Sequence, residues 1–189
     1  MVDTSRSQST LLASLFQDGQ ASGAISEQDV RDLIVSLTQP FMGVYVSAAA
    51  ATTIASAGVP VKAAGTTTIT NQSGDMDDNS GVSNRIRFTG VSPRHMHVVA
   101  HASVSLASGT NQDTGLHIWK WDDSAGSGAF LPESEAHTTI AGTASTQLMT
   151  HGDTLMDTND YLELWVANHT GTPNITVDYG YLFAVGMLV

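Results

Sequence analysis

The sequence predicts an all-β protein, an antiparallel jelly-roll sandwich preceded by a short N-terminal helical arm. After Pro40, β-branched and aromatic segments alternate with clusters of turn-forming residues at fairly regular intervals. Residues 94–106 place apolar side chains at every second position, which is typical of a half-buried strand. A single segment near the N-terminus has the three-to-four-residue spacing of an amphipathic helix. We therefore divide the 189 residues into an arm over residues 1–42 and a β-domain over residues 43–189.

The arm contains a short apolar cluster and one predicted helix. Ser26 suits the N-cap, and Asp29 stands three residues later, in a short variant of the capping box. Arg31 and Asp32 are predicted to face solvent, and Pro40 ends the helix. The apolar cluster is Leu11, Leu12, Leu15 and Phe16, and the apolar helix face is Val30, Leu33, Ile34 and Leu37.

The β-domain is predicted to hold eight to ten strands and no second helix. In residues 161–167, Leu162, Leu164 and Val166 alternate with Tyr161, Glu163 and Trp165. Residues 74–81 and 124–128 are rich in turn formers and are predicted to be exposed loops. The predicted strand segments are 44–47, 66–70, 84–89, 94–106, 115–121, 136–140, 161–167 and 174–185.

Charge excludes several classes of function. Charged residues make up 13% of the chain, and the 18 acidic and 7 basic residues give a formal charge of -11. Such a chain lacks the basic surface through which proteins bind nucleic acids or anionic membranes. The N-terminal residues have neither the cationic nor the apolar region of a secretory signal, so we expect synthesis in the cytoplasm without a signal peptide. With no cysteine, disulfides and thiolate chemistry are excluded.

Two sets of segments carry a resemblance to known proteins. Residues 15–19 (LFQDG) and 23–33 (GAISEQDVRDL) resemble the turn-and-helix segment that precedes the β-domain in many tailed-phage virion proteins. Residues 84–90 (NRIRFTG), 159–168 (NDYLELWVAN) and the C-terminal segment from Ile175 to Leu188 are similar to strands of trimeric tumour-necrosis-factor-like jelly rolls. This resemblance implies a homotrimer on a virion, as a head-decoration (cement) protein, a head-fibre knob or a receptor-binding tip, and it implies no enzymatic activity.

The histidines are the first candidate site. His95, His97 and His101 share a strand face with Val99, and neighbouring side chains at this spacing lie about 7 Å apart. The spacing lacks the carboxylate or cysteine partner of a recognised zinc motif. We therefore predict no metal site and no cofactor for this chain, and interpret this face as a candidate trimer-axis face. Whether it meets the axis or solvent stays open.

Two further patterns have competing interpretations. Asp75, Asp77, Asp78 and Asn79 begin like a calcium loop, but Ser80 replaces the turn glycine, so a solvated acidic loop is favoured. Trp119 and Trp121 share one strand face. They are interpreted as buried core or interface aromatics, or, if exposed, as a candidate surface that stacks on a sugar or fills a partner's pocket.

The sequence thus favours a non-enzymatic virion protein. The first hypothesis is a cement protein that binds the major capsid protein or another virion protein on the head exterior. In this hypothesis the apolar arm residues anchor the trimer by burying surface. The alternative is a fibre knob that contacts a host-surface glycan or protein. A polysaccharide-degrading enzyme ranks lower, because no nucleophile motif is present.

Overall fold

The computed structural model describes residues 25–187 and begins with one helix. Helix α1 spans Glu27–Leu37. The Ser26 amide donates to Asp29 Oδ2 at 2.9 Å, and the Asp29 amide donates to Ser26 Oγ at 3.2 Å. These reciprocal bonds satisfy backbone donors at the helix start. The predicted N-terminus of the helix is confirmed.

The side chains of α1 are distributed differently from the prediction. Asp32, predicted to face solvent, is 1% exposed, and its Oδ1 accepts a hydrogen bond from Gln28 Nε2 at 2.7 Å. That prediction is wrong, since a carboxylate can be buried when hydrogen bonds satisfy its oxygens. Val30 and Ile34 are 44% and 60% exposed, and Leu33 is half-buried. The cluster of Leu11, Leu12, Leu15 and Phe16 and the side chain of Leu37 lie outside the described residues.

The β-domain contains every predicted strand segment and several additional strands. The additional strands are β2, β3, β5, β9 and β11. The strands are β1 (Phe41–Ala48), β2 (Ala51–Thr52), β3 (Val61–Lys62), β4 (Thr66–Gln72), β5 (Met76–Asp77), β6 (Arg85–Phe88), β7 (Arg94–Leu106), β8 (Gln112–Asp122), β9 (Ser127–Phe130), β10 (Ala136–Ile140), β11 (Thr146–Met156), β12 (Tyr161–Asn168) and β13 (Ile175–Gly186).

Two antiparallel sheets form a jelly-roll sandwich, as predicted. The first sheet has the order β11-β7-β13-β1-β4, with β2 beside β13. The second sheet has the order β10-β8-β12-β6-β5, with β3 beside β12 and β9 beside β8. Strands far apart in sequence are therefore neighbours in space, and β7 pairs along nearly its whole length with both β11 and β13.

The core lies between the sheets and follows the predicted alternation. Every second residue of β7, from Met96 to Leu106, is at most 4% exposed. From the second sheet, Leu162, Leu164 and Val166 of β12 are at most 1% exposed. The segment 74–81 is not wholly an exposed loop, because it includes β5 and Met76 is 1% exposed. The outer faces of the two sheets do not belong to this core, and the candidate functional residues lie on them.

Candidate functional site

The outer face of the first sheet contains the predicted histidines. His97, Val99 and His101 are half-buried on β7, and His95 is exposed. Opposite them on β13, Tyr181 is in register with His101, and Phe183 with Val99. We call this surface the first-sheet face. It also includes Tyr179 and Val185 of β13 and Met149, His151, Asp153 and Leu155 of β11.

Aromatic rings form a continuous layer on the first-sheet face. The His101 ring lies 5.5 Å from that of Tyr179 and 5.6 Å from that of Tyr181, and Tyr181 stacks on Phe183 at 6.1 Å. Polar contacts lie towards one end, where His97 Nδ1 is 2.6 Å from Asp153 Oδ1. Tyr179 is 51% exposed and Met149 is 67% exposed. In a single chain, this face leaves large apolar groups in water.

The predicted tryptophans lie on the outer face of the second sheet and are half-buried. Trp119 stacks on Trp165 with ring centroids 4.8 Å apart, and Phe130 meets Trp119 edge-on at 4.7 Å. Gly128 permits this packing, since a Cβ there would lie 2.5 Å from the Trp119 indole nitrogen. Trp121 stacks on Tyr161 at 5.9 Å. The two tryptophans therefore belong to neighbouring ring stacks and are neither core residues nor free side chains.

The acidic loop holds an ion pair. The Arg87 guanidinium donates to both Asp77 oxygens, at 2.8 and 2.6 Å. This hydrogen bonding holds the pKa of Asp77 below its ordinary value. The Asp77 side chain thereby links β5 to β6, which also pair as strands. This favours a structural role for the loop over a calcium site.

A cluster that sequence analysis missed lies at the other end of the second sheet. His117 is on β8, Glu135 immediately precedes β10, and His169 immediately follows β12. Glu135 Oε1 lies 4.0 Å from His117 Nε2 and 4.0 Å from His169 Nε2. We call these three residues the His–Glu cluster. Strand pairing brings them together, because β8 lies between β10 and β12.

A second layer of polar groups surrounds the cluster. Glu135 Oε1 accepts a hydrogen bond from His137 Nε2, and His137 Nδ1 faces Asp113 Oδ2 at 3.4 Å. The His137 ring also packs 4.3 Å from that of His169. Partial burial lowers the pKa of His137, but the bonds to Glu135 and Asp113 outweigh it and raise that pKa overall. His137 therefore lies between two carboxylates, which favour its protonated form.

Burial and charge set the protonation of the cluster itself. His117 is 5% exposed, and burial lowers its pKa despite the neighbouring Glu135. The hydrogen bond from His137 lowers the pKa of Glu135. At neutral pH the cluster therefore presents a neutral imidazole beside a carboxylate. No sequence spacing identifies this set, since its members lie on three separate segments.

Comparisons with known proteins bear on the fold. No protein-family model and no curated protein sequence matches the chain. Among solved structures, murine APRIL at pH 5.0 is similar with a TM-score of 0.55 and 8% identity, over 79% of this chain and 100% of that chain. Murine APRIL at pH 8.0 gives a TM-score of 0.52 and 9% identity, again over 79% and 100%.

The similarity covers about four fifths of the chain and concerns the fold alone. In the described part of the chain, no helix is long and apolar enough to span a bilayer. The chain is thus an antiparallel β-sandwich with a tumour-necrosis-factor-like jelly-roll fold.

Proposed function

We propose that the protein is a non-enzymatic virion surface protein that assembles as a homotrimer through its first-sheet face. The observation that carries this proposal is the layer of His101, Tyr179, Tyr181 and Phe183 on the outside of a complete sandwich. Exposed apolar surface of this extent marks an interaction site. Aromatic enrichment and depletion of charge are the compositional signature of an interface core.

The placement of charge supports self-association through this face. The centre of the face, around Val99 and Phe183, carries no acidic side chain, although the chain has a net charge of -11. Asp153 is at one end of the face and pairs with His97. Two copies can therefore meet at the centre without burying an unpaired carboxylate, which would be costly.

The proposed attachment to a phage head rests on the N-terminal arm. The segments 15–19 and 23–33 resemble those of tailed-phage virion proteins. Val30 and Ile34 of α1 present exposed apolar surface that a capsid subunit can bury. Three arms per trimer add their binding through avidity. We therefore assign the arm to anchoring and the jelly roll to trimer formation.

A truncation beginning at Gln39 tests this division of roles, because it removes α1 and keeps the whole of β1 with its buried Met42. We expect the truncated protein to remain trimeric by native mass measurement, because the first-sheet face is intact. We expect it no longer to co-sediment with phage heads, whereas the full-length chain does. Retained co-sedimentation would refute the anchoring role of the arm, and a monomeric full-length chain would refute the trimer.

The ring stacks of the second sheet favour a second candidate function, a host-binding knob. The indole rings of Trp119 and Trp165 stack on each other, and both side chains are half-buried. Partly exposed aromatic rings can pack against a sugar ring or fill a partner's pocket. Arg85 lies 3.7 Å from the Tyr161 ring centroid and adds a cation beside the stacks. Adsorption of labelled protein to host cells, lost in Trp119→Ala, would favour the knob over the cement role.

A further inference from the structure

We propose that His117, Glu135 and His169 bind a divalent transition-metal ion, with Zn²⁺ as the preferred ion. The donor atoms of these three side chains all lie within 4.8 Å of one another. Two imidazoles and a carboxylate form a ligand set that zinc accepts, with water in the fourth position. Calcium and magnesium prefer all-oxygen sites, so the chemistry of this set favours a transition metal.

The distances are close to those of a bound ion. Zinc–ligand bonds of about 2.0–2.2 Å in a tetrahedron place the donor atoms about 3.3–3.5 Å apart. The carboxylate oxygen now lies 4.0 Å from each imidazole nitrogen. Because the Glu135 side chain is 47% exposed, it can move the few tenths of an ångström needed. His117 is held by its burial, whereas Glu135 and the half-buried His169, whose donor atoms lie within 4.8 Å of that of His117, can adjust towards it.

The unpartnered nitrogens are the strongest evidence. His117 Nε2 and His169 Nε2 are buried, and neither has a hydrogen-bond partner among the described residues. A buried polar atom without a partner loses its hydrogen bond to water and gains none in return, so such atoms are rare in folded proteins. Both nitrogens belong to the His–Glu cluster. A bound metal ion would satisfy both at once.

Gly115 provides an independent indication that the space between the rings is specified. A Cβ at this position would lie 2.7 Å from His169 Nε2 and 2.8 Å from His117 Nε2. Gly115 has no positive φ, so the backbone conformation does not require glycine. The absent side chain instead leaves room for the two nitrogens to converge above the strand.

His137 and Asp113 complete the site as positioning residues. His137 donates to Glu135, and its other ring nitrogen faces Asp113. Outer hydrogen bonds of this kind orient metal ligands, and their loss typically costs 10–100-fold in affinity.

The cluster also opens on a pocket of about 290 Å³ lined by Pro60, Phe130 and Leu131. That pocket gives the ion an entry path and room for a water ligand.

Zinc titration of the untagged full-length protein tests the proposal. After removal of metal with a chelator, calorimetry at pH 7.5 should give one Zn²⁺ per chain. His169→Gln and Glu135→Gln should each weaken binding by more than about 10-fold, and His137→Gln by about 10-fold. Co²⁺ in place of Zn²⁺ should give the visible absorption of a tetrahedral site. His169 and Glu135 are chosen because they are more exposed than His117, so their variants should fold.

His95→Gln is the matched control, since it removes an exposed histidine from the first-sheet face. It should leave the stoichiometry and the affinity unchanged. Absence of one-to-one binding would overturn the proposal. Unchanged affinity in both His169→Gln and Glu135→Gln would also overturn it, as would loss of binding in His95→Gln, which would place the ion on the other sheet.

Discussion

At the scale of single residues, two buried polar side chains on the second sheet differ in how their atoms are satisfied. Glu163 is 4% exposed, and its oxygens accept bonds from Lys62 at 2.6 Å, from Arg85 at 2.6 and 2.9 Å and from Trp165 at 3.2 Å. His117 is equally buried and its Nε2 has no such partner within the described part of the chain. The first arrangement is complete as it stands. The second requires a further ligand, which is the physical basis for assigning a metal there.

Gly115→Ala tests whether zinc binding needs the space between the two imidazole rings, because it leaves every proposed ligand in place. The new methyl group would collide with the two Nε2 atoms, and overpacking of this kind costs about 1–3 kcal/mol of unfolding free energy. We expect a loss of about 1 kcal/mol in urea unfolding, because the rings can partly give way, and a loss of zinc affinity of at least about 10-fold. All ligands remain present, so the loss would report their displacement.

Gly74→Ala is the control for this substitution. A Cβ at Gly74 meets nothing within 4 Å, and the residue has no positive φ. Its unfolding free energy should stay within about 0.5 kcal/mol of the parent, as for most surface substitutions. Equal stability and equal zinc affinity in Gly115→Ala and Gly74→Ala would show that the close approach at Gly115 has no consequence.

Sequence patterns located the residues of one candidate site but not those of the other. The positions of His95, His97 and His101 were predictable because alternation along one strand is a local property. The His–Glu cluster was not, because it depends on which strands pair and in which register. Pairing of Gly115 with both His137 and Ala167 places β10 and β12 beside β8, and no local spacing records that pairing.

At the scale of secondary-structure elements, local chemistry explains which parts were predictable. The start of α1 follows from Ser26 and Asp29 alone. Strand β11 was missed because His151, Gly152 and Asp153 interrupt its apolar residues, although alternate residues are buried. Strands β2, β3 and β5 have two residues each, too few for any periodicity. Their existence depends on neighbours that the sheets supply.

The ion pair of Asp77 in the short strand β5 should contribute to the free energy of unfolding in a pH-dependent way. Arg87 lowers the pKa of Asp77 in the folded state, so the pair stabilises the fold above the unfolded pKa of about 3.9 and loses this effect as pH falls through the folded pKa. Because the Asp77 side chain is 35% exposed, water screens the pair, and Asp77→Asn should cost no more than about 1 kcal/mol at pH 7.

Urea unfolding at several pH values checks this expectation. The difference between the parent and Asp77→Asn should shrink as pH falls below about 4. Asp75→Asn is the control, since Asp75 lies in the same loop outside this ion pair and should show little difference at any pH. A gap for Asp77→Asn that stays constant from pH 7 to pH 3 would contradict the ion-pair explanation.

At the scale of the whole molecule, the low content of charged residues can be related to one face of the sandwich. Only 13% of residues are charged, and the face around Val99, Tyr181 and Phe183 is part of the surface that lacks them. A sandwich of this size needs one buried face per sheet for its core. Here the centre of the first sheet is apolar or aromatic on both faces. The fold explains the inner face, and we attribute the outer face to the proposed association between copies.

Val99→Asp tests that association directly. Val99 lies at the centre of the first-sheet face, between His151 of β11 and Phe183 of β13. A carboxylate there is solvated in a single chain, but in an assembly its charge would be moved from water into a layer of apolar and aromatic side chains, which is unfavourable. We therefore expect the mass in solution to fall from three times 19.8 kDa to 19.8 kDa, with the circular dichroism spectrum unchanged. Thr139→Asp, at an exposed position of β10 in the other sheet, should leave the mass unchanged. A trimeric Val99→Asp would exclude this face from the interface.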